Sequence, residues 1–178
     1  MTAPTELYRV RSLSEYLRDA LDAGGVAEPP SPVLLHVMTQ VEYWAKQAVR
    51  TMALDNERPL ATGEGRWFSP ALLVIQVSPR PRSGLAERII LGRTPRADVC
   101  LPYPRISKHH AHFKPAEGGA YALVDQGSLN GTFVNGARLK EGEARVLPDD
   151  CIIFFGKYET RYMAPAVFKR HLEVLAGG

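Results

Sequence analysis

The sequence predicts a mainly β protein: an antiparallel β-sandwich of about ten or eleven short strands, with helices ahead of it and a short helix behind. Three observations predict it. From Ala71 onward the hydrophobic pattern changes from a helical period to short apolar or alternating runs. These runs are separated at close intervals by Gly, Pro, Asn or Asp, the spacing of an antiparallel sandwich or barrel. Two Asn-Gly pairs, Asn130-Gly131 and Asn135-Gly136, give the strongest short-range turn signal in the chain, because both residue types tolerate positive φ.

Taken in order, Ser12-Leu13-Ser14-Glu15 reads as a capping box, with Leu13, Tyr16, Leu17, Ala20 and Leu21 at helical spacing behind it and Gly24-Gly25 as the stop. Ser31-Pro32 reads as an N-cap and first helical position, followed by Leu34, Val37, Met38, Val41, Trp44, Ala45, Ala48, Val49 and Met52 on one face. The spacing predicts a second helix of about six turns. Residues 1–60 are thus expected to be a helical extension and 61–70, with Gly63 and Gly65, a linker. The sandwich is expected over 71–163, with strands at 72–77, 88–91, 99–101, 110–113, 121–124, 132–134, 145–147, 151–155 and 158–162. Residues 164–178 carry a last short helix behind Pro165, with Phe168, Leu172 and Leu175 on the face that docks.

The chain has 178 residues, 45% hydrophobic and 23% charged, as in a soluble globular protein. No apolar run is long enough to cross a bilayer, and the start of the chain lacks the basic-then-apolar order of a signal peptide, so the expected compartment is cytoplasmic. The second helix offers only Lys46 and Arg50 to a lipid surface, which argues against membrane binding. Cys100 and Cys151 are too few for a disulfide framework and read as buried thiols. The net charge of +3 is uneven: residues 1–70 hold 7 basic and 9 acidic side chains, whereas 71–178 hold 15 and 10. The basic half suits an anionic partner. Its charges are not interleaved with aromatic residues as a nucleic-acid stacking platform needs.

The segment Asp125 to Gly136 reads as strand, turn, short strand, turn, and its turns carry Ser, Asn and Thr. Such a segment displays side chains. Gly92-Arg93, then Ser107-Lys108-His109-His110, then Ser128-Leu129-Asn130-Gly131-Thr132-Phe133-Val134-Asn135-Gly136 follow in an order and at separations that resemble a forkhead-associated domain. That family's β-sandwich recognises phosphothreonine peptides, and the resemblance covers about 71–163.

The resemblance implies phosphate contacts from Arg93 and Ser107, assisted by Lys108, and a hold on the peptide backbone from Asn130. Arg105 is placed to face the peptide, favouring an acidic or polar residue after the phosphothreonine. Gly92, His110, Gly131 and Asn135 fall at positions that brace the loops. A small apolar pocket beside the Asn130–Thr132 turn is implied for the threonine methyl. Leu129 departs from the commoner Thr, Ser or basic residue, removes one polar contact, and either walls that pocket or turns outward.

No nucleophile, base and orienting acid are arranged for catalysis, and no phosphate-binding Gly-rich loop of the nucleotide-binding kinds is present. His109, His110 and His112 lack a further ligand at metal spacing. The expected protein is therefore a non-catalytic adaptor in Ser/Thr kinase signalling, without metal or cofactor, that binds a phosphothreonine protein. The alternative is a phosphate-independent scaffold or oligomer working through its N-terminal helices, with residues 31–54 as the contact.

Overall fold

A computed structural model of the chain describes residues 10–36, 72–80 and 88–177. The linker expected at 61–70 and most of the second expected helix lie outside the described residues. Among the described residues, twelve strands and two α-helices follow in chain order: β1 (Val10–Ser12), α1 (Leu13–Asp22), β2 (Val33–His36), β3 (Leu73–Gln76), β4 (Ile89–Gly92), β5 (Val99–Cys100), β6 (Ala111–Pro115), β7 (Tyr121–Asp125), β8 (Thr132–Val134), β9 (Ala137–Arg138), β10 (Ala144–Val146), β11 (Asp150–Phe155), β12 (Tyr158–Met163) and α2 (Pro165–Gly177). They form two sheets, one ordered β1-β3-β2-β12-β11-β8-β9 and the other β10-β7-β6-β4-β5. The ladders are antiparallel except for β4 with β5.

The main core lies between the sheets, where Leu34, Ile75, Leu91, Val99, Phe113, Leu123, Ile153, Phe155 and Tyr162 meet. A second core covers part of the larger sheet's other face: Val33, Leu35, Val74 and Met163 pack under Leu13 of α1 and Phe168 and Leu172 of α2. Each fully buried side chain of this size contributes about 1.5–3 kcal/mol. The capping box forms as expected. Ser12 Oγ accepts from the Glu15 N–H at 3.3 Å, and the Ser12 N–H donates to Glu15 Oε2 at 2.7 Å. The C-terminal helix also docks as expected, edge-on to Tyr16 through Phe168.

One expectation fails. Val33–His36 was expected to open the second helix and is instead a strand, hydrogen-bonded to β12 on one side and β3 on the other. The reason is burial on both faces: Leu34 points into the sandwich while Val33 and Leu35 point toward the helices. A strand covered on both faces shows no polar alternation, so its apolar run mimics a helix start. The larger sheet therefore takes in residues from the region expected to be a helical extension. β1 and the two-residue β9 likewise lie beyond the expected strands. Cys100 and Cys151 are free and buried, and burial pushes their thiols up to about 11 and about 12.

Candidate functional site

Three loops meet at one end of the sandwich. The loop after β4 carries Arg93, the loop before β6 carries residues 104–110, and the loop between β7 and β8 carries Leu129 and Asn130. Together they line an open cleft of about 410 Å³ bounded by Arg93, Pro104, Arg105, Ile106, Ser107, Lys108, His109, Leu129 and Asn130. All six residues expected to touch ligand are thus brought together. A second cleft of about 470 Å³, lined by Asp125, Gly127, Ser128, Arg138, Leu139, Lys140 and Glu141, holds none of them.

Backbone contacts hold the first two loops in register. The Arg93 N–H donates to Ser107 O at 3.1 Å. Gly92 makes this approach achievable: a Cβ there would lie 2.0 Å from the Lys108 carbonyl oxygen, inside any van der Waals limit. The Arg93 side chain is exposed and makes one long contact, 3.5 Å from Nη1 to Pro104 O, so among the described residues most of its donors are uncommitted.

His110 ties these loops to the third and is fully buried. Its Nδ1 accepts from the Ser107 N–H at 3.1 Å, which requires the other nitrogen to carry the proton, and Nε2–H donates to Gly131 O at 3.2 Å. Burial lowers its pKa, only partly opposed by the Gly131 carbonyl and by Asp125. The neutral tautomer that both bonds need is the favoured one. Gly131 itself takes φ +79° at the turn. Asn135, with φ +48°, braces the next turn by accepting from the Ile152 N–H at 2.9 Å; it does not line the cleft.

Asn130 Nδ2 donates to Arg105 O at 2.7 Å, and the Leu129 N–H donates to Ser107 Oγ at 3.3 Å. The Leu129 side chain turns outward, 87% exposed. Sequence reasoning gave no role to Asp125, yet its carboxylate organises the β7–β8 turn. Oδ2 accepts from the Ser128 N–H at 3.0 Å, and Oδ1 accepts from Ser128 Oγ and Thr132 Oγ1, each at 2.6 Å. Burial pushes its carboxyl up, but these bonds more than offset that and leave it below its ordinary value. An Asp three residues before a Ser in a turn was the available signal.

Chemically, the cleft sets three cationic side chains and a hydroxyl around an open, water-accessible space. A guanidinium offers planar paired donors that match a phosphate, and a lysine adds a mobile charge. Among the described residues no three His, Cys, Asp or Glu side chains gather to hold a metal ion, and no helix is long and apolar enough to cross a membrane.

Comparison with known proteins places the chain in a family. The sequence profile of the FHA domain matches residues 89–156. An oxoglutarate dehydrogenase inhibitor from Corynebacterium efficiens is 32% identical over 124 residues, which are 65% of this chain and 82% of that protein. The chain belongs to the FHA domain family. The glycogen accumulation regulator GarA of Mycolicibacterium smegmatis is 38% identical to this FHA protein over 90 residues, 47% of this chain and 54% of GarA; the chain therefore spans about half of that relative's length. Among solved structures, the FhaA FHA domain complexed with the intracellular domain of Rv3910 is 29% identical, covers 47% of this chain and 87% of that chain, and superposes with a TM-score of 0.38.

Proposed function

We propose that this protein is a non-catalytic adaptor that binds phosphothreonine-containing proteins in Ser/Thr kinase signalling. The observation that carries the reading is the convergence of Arg93, Ser107, Lys108 and Asn130, from three loops, on one open cleft. Arg93 and Ser107 hold the phosphate, Lys108 assists, Asn130 holds the peptide backbone, and Arg105 faces residues beyond the phosphothreonine. The relatives named as a regulator and as an enzyme inhibitor support action by binding a protein rather than by catalysis.

The test is binding of a degenerate peptide pool with phosphothreonine at its centre, against the same pool unphosphorylated and against phosphoserine. Charge-assisted bonds contribute about 1.5–3 kcal/mol each, so Arg93→Ala is expected to abolish measurable binding without lowering Tm. Phosphothreonine should be preferred over phosphoserine several-fold, since one buried methyl is worth about 0.8 kcal/mol and packing adds to it. Equal binding of the phosphorylated and plain pools would sink the reading.

A further inference from the structure

The loop that carries Ser107 is also held from a part of the chain that the FHA profile does not reach. Tyr103 lies in that loop and is 8% exposed. Its carbonyl accepts from the Ile106 N–H at 3.0 Å, closing the turn that presents Pro104 and Arg105. Its ring stacks on Tyr158 with centroids 4.1 Å apart and planes at 16°. Its hydroxyl lies 2.6 Å from Nε2 of His36, in β2.

The proton positions in this contact follow from chemistry. His36 Nδ1 lies 2.8 Å from the carbonyl oxygen of Glu159, which can only accept, so Nδ1 carries the proton. The neutral ring then offers Nε2 as the acceptor for the Tyr103 O–H. His36 is 4% exposed, and burial lowers its pKa, in keeping with that neutral form. The hydroxyl is thus fixed in direction as well as distance. Downstream, Arg105 O receives Asn130 Nδ2 and Ser107 Oγ receives the Leu129 N–H, so any shift of Tyr103 moves acceptors on which the cleft depends.

We propose that His36 is a positioning residue for the ligand-binding loop. It acts through the Tyr103 hydroxyl, which makes β2 part of the recognition machinery. The effect on binding rests on the phosphothreonine reading above; the effect on the loop does not. Hydrogen bonds of this kind predict a roughly threefold to tenfold weaker affinity when one partner is removed.

The experiment uses the full chain and four variants: Tyr103→Phe, His36→Leu, His36→Gln, and Tyr103→Phe with His36→Leu. Two quantities are read, affinity for the phosphothreonine peptide pool, and amide hydrogen exchange at Ile106 and Leu129 without peptide. Tyr103→Phe and His36→Leu should each weaken binding and speed exchange. His36→Gln, whose side-chain carbonyl can still accept from Tyr103, should keep near-native values. The double variant should be no worse than His36→Leu, because that single variant has already taken the Tyr103 hydroxyl's partner on β2 away. Losses that add, a His36→Gln as weak as His36→Leu, or a lowered Tm with affinity and exchange unchanged would each overturn the proposal. If the wild type ignores phosphorylation, the binding role falls, and exchange at Ile106 and Leu129 alone decides whether His36 sets the loop.

Discussion

The side-chain amide of Asn130 donates to the carbonyl oxygen of Arg105 at 2.7 Å, so the residue expected to hold the peptide also clamps two recognition loops to each other. Asn130→Asp replaces this donor with a carboxylate that faces a carbonyl and adds a negative charge to the cleft proposed to bind phosphate. Affinity for the phosphothreonine pool should fall at least tenfold, about 1.4 kcal/mol. Tm should change little, since the site is largely solvated. An Asn130→Asp protein that binds as well as wild type would remove Asn130 from the ligand contacts.

His110 and Arg93 should separate stability from binding. Removing the buried His110 ring leaves the Ser107 N–H without its partner and takes one of two donors from Gly131 O, which keeps the Gly156 N–H at 2.8 Å, a cost of roughly 1–3 kcal/mol. His110→Ala is therefore expected to lower Tm and affinity together, whereas Arg93→Ala lowers affinity alone. Thermal melts and peptide titrations on both variants check this, and a His110→Ala protein that melts like wild type would contradict the bracing role.

At Gly92 the limit is space. A methyl there would sit 2.0 Å from Lys108 O and 2.8 Å from Lys108 C, and backbone cannot swing aside as a side-chain tip can. Gly92→Ala should cost about 1–3 kcal/mol, as overpacking does, and should displace Lys108 enough to weaken the peptide pool. Unchanged Tm and affinity would show that the two loops approach less closely.

Three histidines set an acid limit on the fold. The pKa values of His36, His110 and His112 all lie below the ordinary 6.5, with burial the leading cause in each and Arg88 and Lys114 adding to it at His112. The unfolded chain therefore takes up protons first as pH falls, so the stability these rings contribute is present above about 6.5 and is lost on the way down to their folded values. Tm should drop by a few degrees between about pH 7.5 and 5.5. Asp125 is depressed as a carboxylate, so its contribution fades only in stronger acid. A Tm flat across that window would mean the three rings protonate in place.

Most of the cleft's lining was legible because its parts are local. Gly92-Arg93, Ser107 to His110 and the Asn-Gly turns declare their loop chemistry within a few residues, and the sandwich only has to bring them to one end. The turn-forming pairs also fixed β8 as Thr132–Val134. Long-range events were not legible. Nothing near Val33 announces that both its faces will be covered; a helical period fits the local sequence, and only the pairing with β12 and β3 makes it a strand. The Tyr103 and His36 contact joins residues 67 positions apart, and no spacing rule reaches that far. Asp125 gives little local signal either, because a carboxylate at a strand end usually faces water, whereas this one is buried and accepts from the Ser128 and Thr132 hydroxyls.

The place of β2 between β3 and β12 decides where the chain can be cut. A fragment starting at residue 71 keeps every recognition loop yet loses the strand that fills the middle of its larger sheet. With β1 gone as well, it bares three unpaired backbone edges at once, both sides of Leu73–Gln76 and one side of Tyr158–Met163. Exposed edges of this kind recruit strands from other molecules. Such a fragment should therefore associate or take up a strand from a neighbour, and a peptide spanning residues 10–36, which supplies both β1 and β2, added in trans should return it to a monomer.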